Sequence, residues 1–215
     1  MSPHIEYDHH IRVDRPELVP RGYEPADEPS WLRCRVLAFP TTAYHDDVLQ
    51  ARPVTPAPGF GLVAVAPAAR TGREEREERE EVVGILDVSV AGALATIDTV
   101  AVHPDHRRRG IGRRLLAEAR ARLRTAGIPV LDARARDDPD TLAWYRAQGF
   151  VESDHYLHVY ADHRVDPGEP DRAVGTPAPG LRPVTVFAHA DLEREAELRR
   201  GFRRVHVCRR FSMAP

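Results

Sequence analysis

The chain has no lysine: all 31 basic side chains among its 215 residues are arginine. This points to a GC-rich coding sequence and bears little on chemistry. Cysteine is scarce as well. Cys34 and Cys208 are the only two, each among apolar neighbours, which excludes a disulfide framework and predicts buried free thiols in a reducing cytoplasm. No apolar run approaches the ~20 residues that span a bilayer. Residues 1–10 lack both a basic start and an apolar core, so no secretory signal is expected. An excess of one charge is missing too, with 33 acidic side chains against 31 basic. Nothing then pulls the whole surface toward nucleic acid or membrane, and neither is expected as a partner. What remains, 42% hydrophobic and 30% charged, is ordinary for one well-packed cytoplasmic domain with additions.

Proline and hydrophobic spacing punctuate the rest. Residues 1–30 carry Pro3, Pro16, Pro20, Pro25 and Pro29 with little periodicity. They read as an irregular extension with one short edge strand at 11–13 or 18–23. Leu32, Val36 and Phe39 stand near helical spacing within 31–39, after Ser30 as a candidate N-cap. Residues 44–50 read as a second short helix. Strands are predicted over 60–66, 82–90 and 94–102, the last two joined by a tight turn at Ala91-Gly92. A Glu-Glu-Arg repeat within 70–81 reads as a solvated low-complexity segment. Further on, the pattern predicts a helix over 113–126, a strand over 128–134, a helix over 139–148 and a strand over 151–160. Residues 163–183, with Pro167, Pro170, Pro177, Pro179 and Pro183, read as a loop. A strand at 184–187, a helix at 191–200 and an alternating strand at 203–211 follow.

Residues 98–116 carry the most chemistry. A β-branched run stops at Pro104, a basic turn brings Gly110 and Gly112, and a helical pattern begins. The first N–H groups of such a helix lack partners and sit in its positive end. Glycine lets an anion approach the backbone with no Cβ in the way. Arg107, Arg108, Arg109, Arg113 and Arg114 add side-chain charge. The expected occupant is a polyphosphate cofactor. A P-loop needs Gly-Lys-Ser or Gly-Lys-Thr, but Gly112 is followed by Arg113-Arg114; a dinucleotide fingerprint needs glycine where Leu115 stands. Arg107-x-x-Gly110-x-Gly112 instead resembles the pyrophosphate loop of the GNAT family of N-acetyltransferases. Thr99–Pro104 resembles that family's fourth strand, Arg113–Leu116 its third helix, and Tyr145-x-x-x-Gly149-Phe150 its closing signature.

The resemblance implies an α/β fold with a mixed, mostly antiparallel central sheet and helices on both faces. One such domain would cover 31–215, its last hairpin (151–160 with 203–211) opened by a Pro/Gly-rich insert at about 163–202. The insert would lie where the family binds its acceptor, as a lid or specificity element, or else be a loose solvent loop. Acetyl-CoA is implied as co-substrate. Val100 and Val102 match the backbone positions that bind the pantetheine arm. Arg107, Arg108, Arg109, Gly110, Ile111, Gly112 and Arg113 match the pyrophosphate clamp. The implied reaction is direct attack on the thioester by the primary amine of a small molecule or peptide. Tyr145 matches the proton donor to the departing thiolate, although a phenol beside Trp144 and Phe150 also suits a core. Asp98 is the first candidate base. At a period of two it shares a strand face with Val100 and Val102, and, shorter than glutamate, it would act through water. His103, His155 and His158 are alternatives. Asp138 stands where many relatives carry asparagine. No metal is expected, because His103-x-x-His106 and His155-x-x-His158 each lack a third ligand.

Two other classes stay open. One is a non-catalytic acyl-CoA-binding regulatory protein on the same fold. The other is a nucleic-acid module using Arg199, Arg200, Arg203, Arg204, Arg209 and Arg210, which the balanced charge disfavours. A final strand on a long tether also allows exchange between two chains, and hence a homodimer.

Overall fold

Residues 18–67 and 80–215 are described by the structure, a computed structural model. Their strands are β1 (Arg21–Gly22), β2 (Phe60–Pro67), β3 (Glu80–Ala91), β4 (Leu94–Val102), β5 (Val130–Ala135), β6 (Val151–Asp162), β7 (Thr185–Ala190) and β8 (Arg204–Met213). They form one sheet in the order β1-β2-β3-β4-β5-β8-β6-β7. Every neighbouring pair is antiparallel except β4 with β5. The helices are α1 (Glu28–Ala38), α2 (Ile111–Thr125), α3 (Pro139–Ala147), α4 (Glu169–Val174) and α5 (Glu195–Gly201). The expected mixed, mostly antiparallel sheet with helices on both faces is what forms.

β3 is apolar almost without alternation because both its faces are covered. Val83, Leu86 and Val88 lie under α2, whereas Val82 and Ile85 lie under α1. α2 presents Ile111, Leu115, Leu116, Ala119 and Leu123 as one buried stripe. Gly84 sets how closely it approaches: a Cβ there would stand 2.5 Å from Ile111 Cγ2.

α1 differs from the sequence reading at both its start and its buried face. It begins at Glu28, with Pro29 in its first turn. Ser30 therefore lies inside the helix, where its Oγ accepts the N–H of Val82 at 2.8 Å. The buried face is Trp31, Cys34, Arg35 and Ala38, while Val36 points outward. Nor does residue 30 mark a boundary. β1 pairs with β2, the 18–23 option for the edge strand, and Tyr23 packs on the Trp31 cluster. The 11–13 option and the Glu-Glu-Arg repeat up to residue 79 lie outside the described residues. No helix forms over 44–50; the segment is held by arginines instead.

The 163–202 insert is ordered. Pro170 sits in the first turn of α4, where a missing N–H costs nothing, so the proline-rich stretch is not all loop. The Glu169 carboxylate, 2% exposed, accepts N–H groups from Asp162 (3.2 Å) and Arg203 (2.6 Å) and so ties the two ends of the insert together. β7 adds to the outer edge of β6, and Leu198 of α5 packs on Leu157, Val159, Val205 and Val207. β8 pairs with β6, as the hairpin reading requires. Both cysteines are buried free thiols. No helix among the described residues is long and apolar enough to cross a membrane.

Candidate active site

β4 and β5 pair from Leu94↔Val130 to Ile97↔Ala133 and no further. Past that point Asp98–Val102 keep β3 on one side, while Arg134 and Ala135 turn to β8. A one-residue bulge marks the fork: Val88 faces Ile97 and Asp87 faces Thr99, leaving Asp98 unpaired. A bulge bends its strand and raises the local twist, which opens the sheet here. The His103 N–H donates to Val83 O at 2.9 Å. Because an antiparallel ladder alternates, the backbone groups of Val100 and Val102 face the open edge. The Val102 carbonyl accepts from Arg107 Nε at 3.3 Å, so its N–H is the group left for a ligand. The resulting cleft is about 360 Å³, walled by Ile97–Val102 on one side and Arg134, Asp138, Trp144 and Tyr145 on the other. That is within the usual range for a small-ligand site.

At the end of the cleft the backbone turns sharply before α2. Arg108 (φ +59°) and Gly110 (φ +74°) both take the left-handed conformation, and successive N–H groups in such turns make an anion nest. Arg114 N–H already donates to Gly110 O, so the amides of Ile111, Gly112 and Arg113 are the unpaired ones of the first turn. Among the arginines, Arg108 and Arg113 have no side-chain partner among the described residues. Arg109 holds Asp105 O (2.7 Å), and Arg107 reaches back to Ala38 O (2.7 Å). Arg107 thus lines the cleft as a brace between α1 and β4. Trp144 lies against Gly112, where an added Cβ would be 3.5 Å from its indole.

Tyr145 is both core and cleft. Its ring stacks on Phe211 (centroids 5.1 Å) and meets Trp144 and Phe150 edge-on. Its hydroxyl has no hydrogen-bond partner among the described residues, and burial pushes its pKa upward. Asp98 lines the cleft, but its face corrects the period-two reading. Val88 and Val90 point under α2, so Ser89 points to the α1 side, and Asp98 Oδ1 accepts from Ser89 Oγ at 3.1 Å. Val100 and Val102 pack under α2. The bulge therefore puts Asp98 on the opposite face from both valines. Lost solvation raises its carboxyl pKa, opposed by the bonds from Ser89. None of His103, His155 and His158 lines the cleft. His103 accepts from Asp105 N, and His155 pairs with Glu152. Asp138 caps α3 by accepting from Thr141 N at 2.9 Å. No residue of the 163–202 insert lines the cleft either. No group of three or more potential metal ligands occurs among the described residues.

The resemblance puts the region around 31–50 beside the acceptor site, but the sequence named none of the side chains that roof the cleft. Residues 39–47 close the α1 side of the cleft with Phe39, Thr41, Thr42, Tyr44 and Asp47. Three arginines from separate elements pin the segment. Arg35 of α1 holds Asp47, Arg204 of β8 holds Asp46 and Ala43 O, and Arg136 after β5 holds Ala43 O. The Tyr44 hydroxyl accepts the Arg136 N–H at 2.9 Å, and burial pushes its pKa up to about 12. Only contacts across the fold carry this, so no local pattern announces it. Arg136 also donates to His158 Nδ1 at 3.3 Å. Burial, with the charge of Arg136, pushes His158 down from 6.5 to about 4. Between those values the unfolded chain binds the more protons, so stability falls as pH drops from about 6.5 toward about 4. Urea unfolding near pH 7 and about pH 5 should show this loss, and His158→Gln should shrink it. An undiminished loss in the variant assigns the effect to other groups.

Residues 74–152 match the family model for the acetyltransferase (GNAT) domain. Among solved structures, a tandem GNAT protein from the clavulanic acid biosynthesis pathway is 27% identical at a TM-score of 0.52, the match covering 76% of this chain and 52% of that one. The chain thus spans about half of that tandem protein. The ribosomal-protein-S18-alanine N-acetyltransferase from Escherichia coli is 14% identical (TM-score 0.48, 92% of this chain and 94% of that one). The PaiA N-acetyltransferase from Thermoplasma acidophilum, in complex with coenzyme A, is 12% identical (TM-score 0.49, 64% and 92%). No curated protein sequence matches significantly. The forked sheet and the glycine turn agree with the match of residues 74–152 to the acetyltransferase (GNAT) domain model.

Proposed function

We propose that the chain is an acetyl-CoA-dependent N-acetyltransferase acting on a primary amine of a small molecule or peptide. The observation that carries this is the fork, an unpaired β4 edge that ends at an anion nest. The residues fit the co-substrate. Val100 and Val102 offer backbone groups to an extended amide-bearing arm, and the first amides of α2, with Arg108 and Arg113, suit a pyrophosphate. Bound there, the thioester supplies an activated acetyl group.

The chain's own groups would do the rest. Of the N–H groups of Val100 and Val102 on the open edge, one stabilises the charge that develops on the acetyl oxygen while the other holds the arm. Asp98 accepts a proton from the attacking amine through a water. As the new N–C bond forms and the C–S bond breaks, the Tyr145 hydroxyl gives its proton to the leaving sulfur. Fixing both reactants in one cleft is itself worth several kcal/mol.

Thermal unfolding with acetyl-CoA, CoA, ATP or NAD at equal concentration tests the reading. At ~100 times its dissociation constant, a ligand of the folded state adds ~2.7 kcal/mol. A rise in Tm with acetyl-CoA and CoA alone is expected. No rise with either overturns the assignment.

A further inference from the structure

The two prongs of the fork carry unlike charges. β4 and β5 last pair at Ile97↔Ala133, so Asp98 and Arg134 are the first residues past the split, one on each prong. Leu131, Ala133 and Ala135 pack on the α2 side. Alternation then turns Arg134 to the α1 side, the side that Asp98 faces. Both residues line the cleft. Neighbouring strands run about 5 Å apart before they diverge, so the two groups stand across a short gap. They form no ion pair with each other. Arg134 is exposed and makes no hydrogen bond or ion pair among the described residues.

The other charges of the cleft are committed. Arg35 holds Asp47, and Arg107 braces Ala38 O. Asp138 caps α3, and Asp140 sits in the positive first turn of that helix. Nothing beside Arg134 neutralises it. Arg210, in register with it on β8, is taken by the buried Asp132, and Arg136 is taken by Ala43 O and His158. The anion nest does not account for Arg134 either. Asp98 and Val102 are four residues apart on β4, about 13 Å, and the nest lies beyond Val102. Arg134 therefore stands at the closed end of the fork, away from the site assigned to the pyrophosphate.

We propose that Arg134 selects the acceptor and that the acceptor is a free α-amino acid. Its carboxylate meets Arg134 on the β5 prong in a charge-assisted pair, and its amine meets Asp98 on the β4 prong. The two groups share one carbon, so a single small molecule reaches both prongs. A diamine would set its second cation against Arg134, and a peptide N-terminus carries no carboxylate beside its amine. The assignment rests on the acetyl transfer proposed above.

The test measures CoA release from acetyl-CoA with each standard L-amino acid, with the matching amino acid amides, and with putrescine and spermidine. Acetyl-CoA dissociation constants and Tm are measured for the native protein, Arg134→Gln and Arg134→Lys. The amino acids should lead. Replacing the carboxylate by a carboxamide should cost the native protein about tenfold or more in kcat/KM. Arg134→Gln should erase that difference, and Arg134→Lys, which keeps the charge but not the fork of donors, should retain part of it. Because Arg134 is exposed and holds no other group, the acetyl-CoA dissociation constant and Tm should not move. Acetyl-CoA binding with amides or polyamines used as well as the amino acids, or with no amino acid turned over, overturns the acceptor class alone. Equal losses in Arg134→Gln for amino acids and their amides also overturn it. Failure to bind acetyl-CoA overturns the underlying transfer reaction instead.

Discussion

Tyr145→Phe should lower kcat by about 10²- to 10⁴-fold while leaving the acetyl-CoA dissociation constant within about twofold, the size expected for removing one positioned proton donor. The change deletes only the hydroxyl. The ring keeps its stacking on Phe211 and its edge contacts with Trp144 and Phe150, and the lost hydroxyl satisfies no other group among the described residues. Fold and affinity therefore have no reason to move with rate. Burial, which raises this phenol's pKa, keeps its proton in place until a basic sulfur develops beside it. Steady-state kinetics with isothermal titration of acetyl-CoA separate the outcomes. An unchanged kcat would leave Tyr145 as a packing residue, and turnover absent even in the native protein would favour the non-catalytic regulatory reading.

Gly84→Ala should destabilise the protein by about 1–3 kcal/mol and weaken acetyl-CoA binding at the same time, as forced overpacking does. The new methyl would stand 2.5 Å from Ile111 Cγ2 and 3.1 Å from Leu115 Cδ1. Ile111 is β-branched and opens α2, so its methyl cannot swing aside as the end of a long side chain would. The first turn of α2 must lift from β3, and its amides are those assigned to the pyrophosphate. Urea unfolding and titration with CoA read the two effects. A loss of stability with unaltered affinity would show that the nest tolerates a moved helix.

The elements that local pattern could settle were those whose periodicity was undisturbed: β4 falls at 94–102 as predicted, and α2 and α3 start within two residues of expectation. The glycine turn and Tyr145 were legible for the same reason, since each depends on a short run of sequence. What failed depended on distant partners. Ser30 looked like a cap, but its hydroxyl is taken by β3. Leu32, Val36 and Phe39 looked like a buried stripe, but the side that meets the sheet is set by Trp31 and includes an arginine. Asp98, read as the base, lines the cleft but was set on the wrong face, because a single unpaired residue reverses the alternation on which the reading relied. Two of the three arginines that pin the roof over 39–47 lie 93 and 158 positions from the residues they hold, and no window of sequence contains both ends.

The place of β8 bears on how the molecule comes into being. This strand follows in the chain every strand it joins, yet it sits between β5 and β6. Until it is synthesised, β1 to β5 and β6 to β7 are two unconnected sheets with exposed facing edges, the kind of edge that recruits other chains. Its arrival supplies Phe211 beneath Tyr145, Arg210 and Ser212 to the buried Asp132, and Arg204 to the roof. A nascent chain can thus build β4 and the glycine turn early, but the Tyr145 ring is seated last. Seating of the proposed proton donor and closure of the sheet become a single late event, and an interrupted translation product would be left with two exposed edges.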